Sequence, residues 1–122
     1  MVFNLKSKYT RKEIHNALGG GDTSYLPSVK GQITCICLNP KLNPDAPRVI
    51  LPGTGQQIEI KAECLCEQRN SLPTFIKRKV NEWEYMGEFF VKSFTMDKKE
   101  IQEIAKQSGR TDITRIIILS KT

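Results

Sequence analysis

One histidine, one tryptophan and no long apolar run set the first limits on this chain of 122 residues. With His15 alone, a metal or catalytic centre built on several histidines is excluded. No stretch approaches the roughly 20 apolar residues that a membrane-crossing helix needs. The amino-terminal Met-Val-Phe-Asn-Leu-Lys-Ser-Lys also lacks the apolar core of a signal peptide. The expectation is a cytoplasmic protein with no membrane partner. Acidic residues are the minority, 13 against 19 Lys and Arg, and the net charge of +6 favours a polyanionic partner. No repeat or linker interrupts the chain, and its length suits one core, so residues 1–122 read as a single domain.

The four cysteines stand as Cys35-x-Cys37 and Cys64-x-Cys66. Zinc sites favour Cys-x-x-Cys in a tight turn, whereas these pairs lie inside apolar runs. Strand alternation puts Ile33, Cys35 and Cys37 on one face, and Ile58, Ile60, Ala62, Cys64 and Cys66 on another. The thiols therefore read first as small core side chains, with a tetrathiolate metal site as the lesser alternative and a disulfide disfavoured in a cytosolic setting.

Two helices are legible from their starts. Thr10 caps the first, Glu13 reaches back to the cap amide, Tyr9 packs on Ile14, and Gly19-Gly20-Gly21 ends an apolar face of Ile14, Ala17 and Leu18. Asp97 caps the second, with Glu100 closing the box, Met96 and Ile101 as the staple, and Gly109 as the stop. Strands are expected at Gln32 to Leu38, Arg48 to Leu51, Gln57 to Lys61, Thr74 to Val80, Glu82 to Phe94 and Asp112 to Ser120. Ala62 to Gln68 fits both periods and is read as a short helix. Gly87, inside the long aromatic strand, marks a bulge or a close approach by another backbone. The class is α+β, a small and strongly bent, mostly antiparallel β-barrel with two or three short helices.

Four features carry candidate chemistry. Pro44-Asp45, thirteen further residues and Glu59-Ile60-Lys61 have the form of a PD-(D/E)xK nuclease motif, in which two carboxylates hold a metal and a cofacial lysine serves the attacking water. Strand periodicity makes Glu59 and Lys61 cofacial, yet Asp45 lies in a proline-rich turn, and a solvated strand face is the simpler reading. His15, with no partner in view, reads as structural. The prolines of Asn39 to Pro47, followed by Pro52-Gly53-Thr54-Gly55, make a stiff loop that reads first as a connector.

The fourth feature is residues 71–94, which hold the only Trp, six of the nine aromatics and the run Lys77-Arg78-Lys79. Trp83 and Tyr85 share a strand face and are candidates to stack a base, with Lys77, Arg78, Lys79 and Arg11 on phosphates. Phe75, Phe89, Val91 and Phe94 are expected in the core, and one or both of Trp83 and Tyr85 are expected to join them. Glu82, Glu84 and Glu88 dilute the positive field, so a focused pocket fits better than a broad basic groove.

Four segments together resemble a known family. They are Tyr9-Thr10-Arg11-x-x-Ile14 with Leu18-Gly19-Gly20, Asn43-Pro44-x-Ala46-Pro47 with Gly53-x-Gly55, Pro73-x-Phe75, and Trp83-x-Tyr85-Met86-Gly87-x-Phe89. Their order resembles an uncharacterised domain family of bacterial and fungal proteins, some restriction-linked with a nuclease alongside. The aromatic-glycine strand is also similar to that of PUA- and SRA-like barrels, which read modified bases. The resemblance implies a non-catalytic nucleic-acid reader, of DNA more than RNA, with a possible partner nuclease and no cofactor. The alternatives are a metal-dependent nuclease using Asp45, Glu59 and Lys61, and a protein- or small-ligand-binding domain.

Overall fold

The computed structural model describes residues 2–122. In chain order its elements are β1 (Lys8–Tyr9), α1 (Arg11–Leu18), β2 (Ser28–Val29), β3 (Gln32–Ile33), β4 (Ile36–Leu38), β5 (Val49–Ile50), α2 (Gln56–Gln68), β6 (Leu72–Lys79), β7 (Glu82–Thr95), α3 (Lys98–Ser108) and β8 (Ile116–Lys121). Six strands form one sheet in the order β4-β6-β7-β8-β5, with β1 also paired to β7, while β2 and β3 form a separate hairpin. Every ladder is antiparallel except β4 with β6. The hydrogen-bonded path is open, since no ladder joins β4 to β5 among the described residues. The expected barrel is therefore seen as a bent, mostly antiparallel sheet with three helices, and the α+β class stands.

The bend is made by β7. Its first half pairs with β6 and its second with β8, and register shifts fall at Thr74/Phe75 and at Val91/Ser93. At the first shift Thr74 faces Gly87 and Phe75 faces Tyr85, so Met86 is the extra residue of a bulge, where the lone strand glycine foretold one. Gly87 has φ +103, and a Cβ there would lie 3.0 Å from Lys121 Cε and 3.4 Å from Leu5. Gly87→Ala is expected to lower stability by about 1–3 kcal/mol, read from the urea midpoint, because an L residue is strained at that φ. An unchanged midpoint would contradict the bulge geometry.

Helix starts follow the sequence closely. The Thr10 and Glu13 box is complete, and Tyr9 packs with Ile14. Ala17, expected on the buried face, is exposed, and Arg11 is buried in its stead. At α3, Asp97 accepts from the Glu100 amide as expected, but the Glu100 carboxylate goes to the Thr95 hydroxyl, and Thr95 Oγ1 accepts the Asp97 amide. Met96 is 57% exposed and makes no staple.

The main correction concerns residues 56–68. Gln57 to Lys61 is not a strand but the first turns of α2, which continues through the segment read as helix. Ala62, Leu65 and Cys66 face the core at helical spacing, whereas Ile58 and Ile60 are exposed. The strand expected from Gln32 to Leu38 is also split at Thr34 and Cys35.

Three apolar clusters hold the layers together. One lies between α2 and the sheet, around Leu26, Ile36, Leu38, Leu65, Phe89 and Ile117. A second, under α1, joins Ile14, Cys35, Cys37, Phe75 and Trp83. The third places Ile101 and Ile104 of α3 against Leu51, Ile113 and Ile116. Ile33 packs in the first cluster and Cys35 and Cys37 in the second, so the three do not share a face.

Candidate nucleic-acid interface

The capped first turn of α1 sets Arg11 against the β6–β7 hairpin. The Arg11 amide donates to Asn81 Oδ1 at 3.0 Å, and Asn81 closes the hairpin turn with φ 55, a conformation Asn tolerates. This bond fixes the helix start to the hairpin tip. The Arg11 guanidinium carbon then lies 4.8 Å from the Trp83 ring centroid. Its Nη2 donates to Ser24 O at 2.7 Å and to Gly21 O at 3.4 Å, and its Nε to His15 Nε2 at 2.8 Å. Among the described residues no carboxylate forms a salt bridge with Arg11. All of these acceptors are neutral, and Nη1 makes no hydrogen bond among the described residues.

Lys77 faces Trp83 across the β6–β7 ladder, and its Nζ is 6.0 Å from the same ring. Arg11, Lys77 and Trp83 together form one wall of a cleft of about 830 Å³. That volume lies within the range of small-ligand sites, about 300–1,000 Å³. Asp22, Thr23, Ser24 and Tyr25 from the loop after α1 form a second side, and Gln57, Ile58 and Lys61 from α2 a third. The proline-rich loop supplies Asn39, Leu42 and Asn43.

That loop is more than a connector. Asn43 Oδ1 accepts the Leu51 amide at 2.8 Å, and Asn43 Nδ2 donates to Asn39 O at 3.1 Å. Arg110 Nη1 donates to Leu42 O and Leu51 O, both at 2.8 Å, while Nε and Nη2 make a fork to Asp112. The hydrogen bonds from Arg110 hold the Asp112 carboxyl below its ordinary range. This loop wall is thus tied by a buried amide and a bidentate ion pair.

The opposite side is tied as well. Tyr25 Oη donates to Ile58 O at 2.6 Å, and burial pushes its phenol well above the ordinary value. Lys61 Nζ donates to Ser24 Oγ at 3.1 Å and Leu26 O at 3.0 Å, and burial lowers its pKa. Cys37 lies at the cleft floor, 3.9 Å from Cys35 by sulfur separation. The hydrogen bond between the two thiols, with burial, pushes Cys37 well above the ordinary thiol value.

Of the residues picked from sequence, Arg11, Lys77 and Trp83 meet in this cleft, and Arg78, Lys79 and Tyr85 do not line it. Arg78 turns to the other face of β6, where its Nε is 3.0 Å from Glu84 Oε1. Lys79 is an exposed hairpin-end cation. Tyr85 is half-buried in an aromatic cluster, 5.3 Å from Phe75 and 5.6 Å from Phe3 by ring centroid, with its pKa raised by burial. Trp83 is only 8% exposed, so it serves the core and the cleft at once.

The nuclease geometry is overturned in one respect. Residues two apart on a helix point roughly 200° apart, so Glu59 and Lys61 of α2 are not cofacial. Glu59 Oε2 accepts the Gly55 amide at 3.0 Å, capping a helix whose N-cap glycine has no side chain to do so. Among the described residues no three His, Cys, Asp or Glu side chains converge as a metal site.

A bent sheet flanked by three helices, with a cleft beside its longest hairpin, gives this chain an SRA-like fold. The crystal structure of the SUVH5 SRA domain with hemi-methylated CG DNA matches with a TM-score of 0.61 and 14% identity, covering 100% of this chain and 91% of that one. The sulfur binding domain and SRA domain of ScoMcrA, complexed with phosphorothioated DNA, match with a TM-score of 0.51 and 12% identity, covering 98% of this chain but 39% of that one. The chain itself belongs to the family described as Domain of unknown function (DUF6697), which matches residues 8–120. No curated protein matches it. Among the described residues no helix is long and apolar enough to cross a membrane.

Proposed function

We propose that this chain is a non-catalytic DNA-binding module that takes a modified base into the cleft beside Trp83. The observation that supports this most is the convergence of two cations, Arg11 and Lys77, on one tryptophan in the wall of a ligand-sized cleft. The SRA-like fold lends support, since both solved neighbours hold DNA. In this reading Lys77 and Arg11 engage phosphate, and the amides of Asn39, Gln57 and Asn81, which line the cleft, read polar edges of an extruded base. In a cytoplasmic restriction or defence setting, the cutting would fall to a separate nuclease.

Extruding a base costs a few kcal/mol of lost stacking, which an inserted side chain offsets. Val80, 90% exposed between Lys79 and Asn81 at the hairpin tip, is the apolar side chain in position for that insertion. Val80→Asp is expected to weaken duplex binding about tenfold with stability unchanged within about 0.5 kcal/mol. Fluorescence anisotropy with a labelled duplex reads the first effect and urea unfolding the second; full retention of affinity would remove Val80 from the interface.

The reading itself is tested by a binding screen of unmodified, methylated, hydroxymethylated and glucosylated duplexes at several salt concentrations, with and without magnesium. One modified duplex should bind at least tenfold tighter than the unmodified one, with affinity falling steeply with salt and the strands left intact. Equal affinity for all four duplexes would defeat the modified-base reading, and no binding at low salt would defeat the DNA reading.

A further inference from the structure

His15 has a second partner that its sequence context does not reveal. It stands four residues after Arg11 on α1, on the same side of the helix, and its Nε2 accepts from Arg11 Nε at 2.8 Å. An arginine nitrogen only donates, so Nε2 must offer its lone pair and the ring proton must sit on Nδ1. Nδ1 is 3.1 Å from the carbonyl of Gly19, which accepts that proton. Gly19 ends the helix with φ 82, so the acceptor is fixed by the backbone. The two contacts select one neutral tautomer.

Among the described residues nothing else grips the Nε edge of Arg11. The other end of the guanidinium holds Ser24 O and Gly21 O on the cleft loop, and its face covers Trp83. A proton on Nε2 would put two donors and two positive charges face to face at that distance. The charged and titratable neighbours are few. Arg11 opposes a charged imidazole and Asp22 on the loop favours it. Beyond Arg11 lie the thiols of Cys35 and Cys37 and, past Trp83, the ammonium of Lys77.

We propose that His15 is a positioning residue for the cleft: as the neutral Nδ1–H tautomer it holds the Arg11 guanidinium over Trp83, and protonation of Nε2 releases that guanidinium together with the residue 21–24 loop. The consequence for DNA rests on the function proposed above; the effect on Arg11 and Trp83 does not. Burial lowers the His15 pKa from its ordinary value of about 6.5, with the Arg11 charge acting the same way and the Gly19 bond and Asp22 opposing. A base whose folded pKa is depressed favours the folded state above its ordinary value. That contribution is fully present above about pH 6.5 and is lost as pH falls through the folded pKa.

The chain holds one histidine and one tryptophan, so Trp83 emission can report the protonation of His15 directly. In the free protein, a one-proton transition in Trp83 emission is expected below pH 6.5. His15→Gln, whose amide oxygen can accept from Arg11 Nε, should abolish it. A flat wild-type trace between pH 7.5 and 5.0, or a transition that survives in His15→Gln, would overturn the proposal. If His15→Gln does not fold, the proton NMR titration of the wild-type ring decides, since a pKa at or above 6.5 contradicts the lone-pair contact with Arg11.

A DNA arm uses a 5-methylcytosine duplex. Acidification ordinarily strengthens DNA binding as imidazoles gain positive charge, so the sign discriminates. Wild-type affinity should fall at least threefold from pH 7.5 to 5.5, and His15→Gln should not show that fall. A rise in wild-type affinity would overturn the coupling. If no duplex binds at any pH, the DNA reading fails while the emission and NMR readouts still decide the role of His15.

Discussion

Trp83→Ala is expected to destabilise the protein by about 3–5 kcal/mol, because it deletes a large buried side chain from the cluster under α1. The indole packs with Phe75, Ile14, Cys35 and Cys37, so its loss leaves a cavity under the helix that carries Arg11. The midpoint of urea or guanidinium unfolding, followed by circular dichroism, measures this. A loss below about 1 kcal/mol would mean that Trp83 is a surface platform. The structure thereby alters the use of this residue as a probe, since weaker binding by Trp83→Ala would mix lost fold with lost contact. Trp83→Phe keeps an aromatic face under Arg11 and is the variant to compare for binding.

Lys77→Glu is expected to lower duplex affinity at least tenfold, about 1.4 kcal/mol, with little effect on stability. Lys77 is half-buried, forms none of the protein's salt bridges among the described residues, and lines the cleft beside Trp83. Under the proposed function, reversing its charge removes one cation from the phosphate contacts and adds a repulsion. The slope of log affinity against log salt should become shallower by about one to two. Arg78→Glu is the control, since Arg78 is already neutralised by Glu84 on the other face of β6. Equal losses for the two variants would point to a diffuse basic patch and away from the cleft.

Local signals carried the sequence reading where chemistry and structure are both local. The Thr10–Glu13 box, the Asp97 cap, the β6–β7 hairpin and the Gly87 bulge each arise from residues within a few positions of one another. Gln57 to Lys61 misled because Ile58, Ile60, Ala62, Cys64 and Cys66 alternate as a strand does. The helical signal was the composition, with Gln, Glu, Lys and Ala following Gly55, and Glu59 placed to cap the Gly55 amide. At this site the composition outweighs the period of the apolar residues.

The cleft was half legible for the same reason. Trp83 and Lys77 are neighbours on one hairpin, and Arg11 opens a well-capped helix, so each could be picked from its own segment. Tyr85 shares the face of Trp83 but is taken up by Phe3 and Phe75, and Arg78 is taken up by Glu84, so contacts with other segments decide which side chains are left for the cleft. The remaining walls depend on distant partners, such as Arg110 on Leu42 and Leu51 or Lys61 on Leu26. No periodicity in the chain encodes those pairings. His15 was read as structural, and only the 2.8 Å contact with Arg11 gives it a part in the cleft.

The most direct test of the account follows the emission of Trp83 during titration with the tightest-binding modified duplex, with anisotropy of the labelled DNA recorded in parallel. A saturable change in Trp83 emission is expected that tracks the anisotropy, weakens with salt and needs at least tenfold more duplex in Lys77→Glu. Binding seen by anisotropy with Trp83 emission unchanged would place the DNA elsewhere on the molecule and contradict the cleft as its site.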